Sequence, residues 1–256
     1  MLYKYSTLQP KDVEYLTFIL RNGIVTHKQV MLKFQENHVN QAYRRLQKLT
    51  NQGYLVNKRI ASRLGVYYAT TEARQQVEAE VTVPKSVSLN TAQHTLLLTD
   101  LLLFYEYQFK QKGIPFSYHT ERELRYRIVG QGSNQEKLRN YNNRRDRIPD
   151  ALFFVKRSDD SVNRIWIELE LTKKENKRYR DKFRMFERVL SEGEYDNVFY
   201  FTHTGHIRNT INRMSSDLTN GHRILVKDIP DAILNDKWEE VTNVGTSDGE
   251  SGTTAK

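Results

Sequence analysis

Cysteine is absent from the 256 residues, which excludes disulfide bridges, cysteine-ligated zinc and a thiol nucleophile, and fits a reducing interior. An apolar run of signal-peptide or membrane-span length is missing too. The longest greasy stretch, Leu96 to Phe104, is interrupted by Thr99 and Asp100. The expectation is a cytoplasmic protein with no membrane partner. No internal repeat is visible, and acidic residues are missing altogether between Asn37 and Thr71. Against these absences stand 40 Lys and Arg to 31 Asp and Glu, a formal charge of +9 that favours a polyanionic partner over a neutral small molecule. Hydrophobic residues make up 38% of the chain, enough for one large folded core or two small ones.

Pro10 opens a helical pattern over Lys11 to Arg21, with Val13, Leu16, Ile19 and Leu20 at helical spacing until Asn22-Gly23 stops it. Thr26 is placed to cap a second helix from His27 to Phe34, and a third runs from about Val39 to Asn51. Two β-prone runs, Tyr54 to Ile60 and Val66 to Thr70, then read as a hairpin. Helix, helix, helix, hairpin is the order of a winged helix-turn-helix, expected over residues 1–82.

In that fold the third helix enters the major groove and the hairpin lies on the flanking backbone. His38, Asn40, Gln41, Arg44 and Arg45 are thus expected at base edges, with Lys48 on the same helix. Lys58, Arg59 and Arg63 are expected on phosphates. Tyr43, Leu46 and Leu49 are expected on the opposite, core-facing side of the helix.

The stretch Val81 to Leu89, with Pro84 and two serines, has no helical period and marks a domain boundary. A second domain is expected over residues 90–230. It begins with an amphipathic helix from Asn90 to Lys112, in which Leu96, Leu97, Leu101 and Phe104 form the apolar side and Asp100 and Glu106 lie outside it. Strands are expected at Ile114–His119, Ala151–Val155 and Arg164–Leu171, then a charged helix at Lys174–Ser191 and a strand at Asn197–Thr202. A helix at Ile207–Leu218 and a strand at Arg223–Val226 close the series. Residues 241–256 fall in a Gly-, Ser- and Thr-rich segment that reads as a disordered tail.

Within Arg164-Ile-Trp-Ile-Glu168-Leu-Glu170-Leu, strand alternation points Ile165, Ile167, Leu169 and Leu171 into a core, and Glu168 and Glu170 together to the other face. Adjacent carboxylates repel unless a cation sits between them. A divalent ion meets that need, and Asp150, opening the neighbouring strand, supplies a third oxygen ligand. Carboxylates holding Mg²⁺ or Mn²⁺ are the arrangement of metal-dependent phosphodiester cleavage. Arg144 and Arg145 precede Asp150 and are expected to serve the DNA. The alternative is a sheet face whose glutamates are neutralised by protein cations.

Asp150 with Glu168-x-Glu170 resembles the PD-(D/E)xK nuclease pattern, with Glu170 at the usual lysine position. The whole arrangement, a winged helix followed by His94-Thr-Leu-Leu-Leu-Thr-Asp100, Ile148-Pro-Asp150 and Trp166-Ile-Glu-Leu-Glu170, resembles the replication-relaxation family of mobile elements over about residues 8–228. That family is similar to plasmid mobilisation relaxases of the MobC class. The resemblance implies an α+β chain, a winged helix plus an α/β restriction-endonuclease-like domain. It also implies a plasmid or integrative-element protein that nicks a transfer or replication origin with Mg²⁺ or Mn²⁺. Asp150, Glu168 and Glu170 would then be metal ligands and catalytic groups, with Glu170 or Lys173 orienting water. Double-stranded DNA and other relaxosome or replication proteins are the implied partners, and a homodimer is left open. Glu170 also leaves open a non-cleaving accessory factor or transcriptional regulator.

Overall fold

The computed structural model describes residues 8–36, 38–61, 64–84, 87–129, 133, 135–136 and 147–236. Arg63, Arg144, Arg145 and the expected tail at 241–256 lie outside the described residues.

Helix α1, Pro10–Asn22, starts with proline at its first position and a capping box between Gln9 and Asp12. It buries Tyr15, Leu16 and Ile19 and ends at Gly23, whose φ of +82° is a conformation glycine adopts without a Cβ clash. Helix α2, His27–Phe34, is capped by the Thr26 side chain, which accepts from the Gln29 N–H. Helix α3, Val39–Asn51, turns Ala42, Leu46 and Leu49 into the core. Strands β1, Leu55–Ala61, and β2, Leu64–Ala69, form an antiparallel hairpin in which Leu55 faces Ala69. Val25 bridges to Tyr67 and ties the hairpin to the turn between α1 and α2. A short helix, α4, spans Thr71–Gln76.

The rest of the described chain is a mixed α+β arrangement around a five-stranded sheet of order β3-β4-β5-β6-β7. Its strands are β3 Phe116–Thr120, β4 Ala151–Lys156, β5 Val162–Leu169, β6 Asn197–Thr202 and β7 Ile224–Asp228. The first three form an antiparallel meander and the last three are parallel. Parallel neighbours need a crossover. Helix α7, Asn176–Ser191, links β5 to β6, and α8, Gly205–Ser215, links β6 to β7. Helix α5, Leu89–Gln111, leads into β3, α6, Glu121–Val129, follows it, and α9, Asp231–Leu234, follows β7. The elements expected from the sequence are thus present with ends shifted by a few residues; α6 and α9 are additions the sequence reading did not contain.

Both faces of the sheet are covered. On one, Trp166, Val198 and Tyr200 pack against Tyr179, Phe183 and Phe186 of α7 and Ile207 and Ile211 of α8. On the other, Phe153, Ile165, Ile167, Leu169 and Phe201 join Leu98, Leu101 and Leu102 of α5 in a core that continues without a break into Tyr15, Leu16, Val30 and Leu46 of the first three helices. Helix α5 is therefore sandwiched between the sheet and α2. Asp100 and Glu106, outside the apolar side of α5, meet polar partners on α2: Asp100 accepts from the Gln29 side chain at 3.0 Å, and Glu106 holds Lys33 at 2.6 Å. The stretch around Pro84 separates the two halves in sequence, but their apolar cores are one.

Candidate nucleic-acid interface and carboxylate site

Helix α3 presents an outward face made of Asn40, Gln41, Tyr43, Arg44 and Gln47. At about 100° per residue, Ala42, Leu46 and Leu49 centre the buried stripe and Tyr43 falls to its flank. Tyr43 is 49% exposed, its ring set edge-on to His27, and so is not the core residue the sequence reading made it. Neither Arg44 nor Arg59 has a carboxylate partner among the described residues, and His38, Lys58 and Arg59 are exposed beside them. Lys58 donates to the Val87 carbonyl at 2.9 Å, which fixes its stem against the second half of the chain.

Arg45 and Lys48 behave differently from Arg44. Both reach back to Asp12 of α1, at 2.5 and 2.6 Å, and Asp12 is fully buried. Burial would raise the Asp12 carboxyl, but Lys48, the Gln9 N–H and Arg45 hold it below the usual carboxylate range. The two cations are struts between α1 and α3: Arg45, expected at a base edge, and Lys48, expected on the DNA, are both engaged by Asp12 here.

The second constellation lies on β5 and the turn before β4. Trp166 and Glu168 share a face because strand residues alternate, and Glu170 continues that face, its N–H donating to the Phe201 carbonyl. The face is not solvent. Helix α7 covers it, leaving Glu168 6% and Glu170 3% exposed. Glu168 accepts from the Trp166 indole N–H and from Lys182 at 2.7 Å; Glu170 accepts from Lys174 at 2.7 Å. Asp150 accepts from the Leu169 N–H at 2.8 Å and lies 3.4 Å from His94 Nε2 of α5, which also meets the Leu169 carbonyl at 3.1 Å.

Burial pushes both glutamates up, opposed by Lys182 at Glu168 and by Lys174 at Glu170. For Asp150, burial acts upward too, but His94 and the Leu169 N–H hold the carboxyl below its ordinary value. His94 answers in kind: burial would lower it, yet Asp150 and the Leu169 carbonyl push it up to about 9. Asp150 and His94 thus form an ion pair at neutral pH.

Asp150, Glu168 and Glu170 come together in one region, as expected. Each is already matched by a protein donor, and among the described residues no group of three His, Asp or Glu side chains converges as a metal-ligand set. In this arrangement a bound Mg²⁺ or Mn²⁺ would have to displace Lys174 from Glu170 and Lys182 from Glu168. Lys173 is exposed and pairs with none of the three carboxylates among the described residues; the lysines that reach the glutamates are Lys174 and Lys182. Sequence reasoning missed Lys182, although a signal existed. It stands three residues after Tyr179 and four before Phe186, both core positions, so its stem must run along the buried side of α7.

A groove of about 580 Å³ opens above Glu170. Arg147, Lys174, Arg178, Lys182, Arg184 and Arg188 line it against two acids, Glu170 and Asp181. No helix among the described residues is long and apolar enough to cross a membrane. Compared with family models, with curated proteins and with solved structures, the chain matches none of them.

Proposed function

We propose that this chain binds duplex DNA through an N-terminal winged helix, with α3 in the major groove and the β1–β2 hairpin on the backbone. The observation that carries the reading is the outward face of α3 and β1: Asn40, Gln41, Arg44 and Arg59 are exposed there, in a stretch with no acidic residue from Asn37 to Thr71. Asn, Gln and Arg are the side chains that pair with base edges, and exposed cations meet phosphates. The cationic groove over α7 offers a second strip of positive charge for the same polyanion. In this reading the nuclease-like domain docks DNA without cutting it, its carboxylates closed by Lys174 and Lys182. The role is that of an accessory factor or regulator of a plasmid or integrative element, in keeping with the resemblance to the replication-relaxation family.

Strand nicking is the second reading. One observation favours it: Asp150 and Glu168 stand on adjacent chain segments with Lys182 on Glu168, so an aspartate, a glutamate and a lysine gather although the lysine comes from a helix. Fluorescence anisotropy with labelled duplex, as a function of salt, tests binding. Relaxation of supercoiled plasmid carrying the native locus, with Mg²⁺ or Mn²⁺ and with EDTA, tests nicking. Binding without nicking supports the first reading, divalent-dependent nicking supports the second, and a flat anisotropy signal overturns both.

A further inference from the structure

A cavity of about 330 Å³ lies at the seam between the end of α1, the stretch around Pro84, and helices α5 and α6. Its charged lining is Arg122 and Arg125, with no carboxylate among the described residues that line it. Thr82, Thr91 and Thr95 add polar wall, while Ile24, Val83, Pro84 and Val87 add apolar wall.

Arg122 is placed there by the backbone of α1. A Cβ at residue 23 would sit 2.8 Å from Arg122 Nη1, so the glycine required by the positive φ also leaves room for the guanidinium. One arm of that guanidinium donates to the Thr82 carbonyl, and the Nε–H, buried, finds no acceptor among the described residues. Burial pulls the group down to about 10, with Glu121 opposing the shift and Arg125 adding to it. Arg125 holds Glu121 one turn back on the same helix and reaches the same cavity. A half-buried cation with a buried, unmet N–H is costly unless an anion completes it.

We propose that this cavity binds a small phosphorylated ligand of nucleotide size, its phosphate held by Arg122 and Arg125 and its apolar part set against Ile24, Val83, Pro84 and Val87. A fork of guanidinium donors matches phosphate oxygens. The volume falls in the range of small-ligand sites, and the walls divide into a cationic end and an apolar end. The site touches both halves of the chain, so occupancy adds contacts across the seam.

The test is thermal unfolding of the full chain at fixed ionic strength with inorganic phosphate, adenosine monophosphate, adenosine or a short duplex. Adenosine monophosphate near ten times its Kd is expected to raise Tm by about 2–4 °C, inorganic phosphate by less and adenosine not at all. Arg122→Gln and Arg125→Gln are expected to abolish the shift. Arg125 is partly exposed and its replacement is the safer fold, so it decides the matter where Arg122→Gln fails to fold. A rise from duplex alone that Arg125→Gln removes assigns the phosphate to the DNA backbone. Absence of any rise, or an equal rise in Arg125→Gln, overturns the site.

Discussion

Lys182 Nζ lies 2.7 Å from the Glu168 carboxylate beneath α7, with the Trp166 indole N–H on the same oxygen. Glu168 is almost wholly enclosed, so its charge depends on this lysine for compensation. Removing one member of a buried pair costs about 3–5 kcal/mol because the other is stranded. Lys182→Met should therefore lower the urea-unfolding free energy by that order, and adding Glu168→Gln should restore much of it. A double mutant no more stable than Lys182→Met would show that Lys182 acts through its packing on Trp166 and Phe186, over which its ammonium also sits.

The split between Arg44 and Arg45 gives a second prediction, resting on the DNA-binding reading. Arg44→Ala should weaken binding with a loss of about 1–3 kcal/mol in discrimination if it grips a guanine. Arg59→Ala should weaken all duplexes alike and reduce the salt slope by about 1. Arg45→Ala and Lys48→Ala should act mainly on stability, since both are spent on Asp12. Asp12→Asn keeps a hydrogen-bonding group at the start of α1 yet removes the charge, and should cost about 1–3 kcal/mol. Anisotropy titrations beside urea melts separate the two groups, and a binding defect confined to Arg45→Ala would reverse the assignment.

Because the core is continuous, the fragment 1–82 should be poorly folded by itself. It leaves behind α5, whose Leu98, Leu101 and Leu102 share a cluster with Tyr15, Leu16 and Val30, and whose Leu96 carbonyl and Asp100 receive the Gln29 side chain. A fragment ending at Lys112 retains that helix and should show a steeper, later thermal transition by circular dichroism. Equal transitions for the two would mean that the first three helices and hairpin enclose enough apolar surface unaided.

Much of the architecture was legible because period and punctuation agree. Thr26, Pro10 and Gly23 mark helix ends by local chemistry, and the alternation of Trp166, Ile167, Glu168 and Leu169 sorts β5 into two faces. What lies over each face is a tertiary fact that the local pattern does not carry. Nothing in the sequence of α5 names Gln29 and Lys33 as the partners of Asp100 and Glu106, and Glu168 and Glu170 read as a projecting pair until α7 closes over them. Tyr43 failed for a smaller reason: one helical step of 100° separates it from Ala42, and that step carries it out of the buried stripe. The pairing of Arg45 and Lys48 with Asp12, 33 and 36 residues away in sequence, leaves no local signature.

Two half-buried acid–base groups should each give up stability as pH rises, in two different windows of the pH scale. Burial raises Asp100 to about 6, with the Gln29 side chain opposing and Asp236 adding to the rise. A carboxyl whose folded pKa exceeds its ordinary 3.8 favours folding when protonated, so its contribution is complete below that value and is lost as pH rises through about 6. Asp100→Asn keeps an acceptor for Gln29 and removes the charge, so its advantage over the parent chain should grow between pH 4 and 7 and then level off. His94 works at the other end. Its folded pKa of about 9 exceeds the ordinary 6.5, so its pairing with Asp150 stabilises fully below 6.5 and is lost as pH rises through 9. His94→Gln should therefore be destabilised at pH 6.5, with the deficit shrinking towards pH 10. Thermal unfolding of the three proteins at half-unit steps of pH checks both trends. Parallel curves for parent and Asp100→Asn would place that carboxyl in contact with water, and parallel curves for parent and His94→Gln would dissolve the ion pair with Asp150.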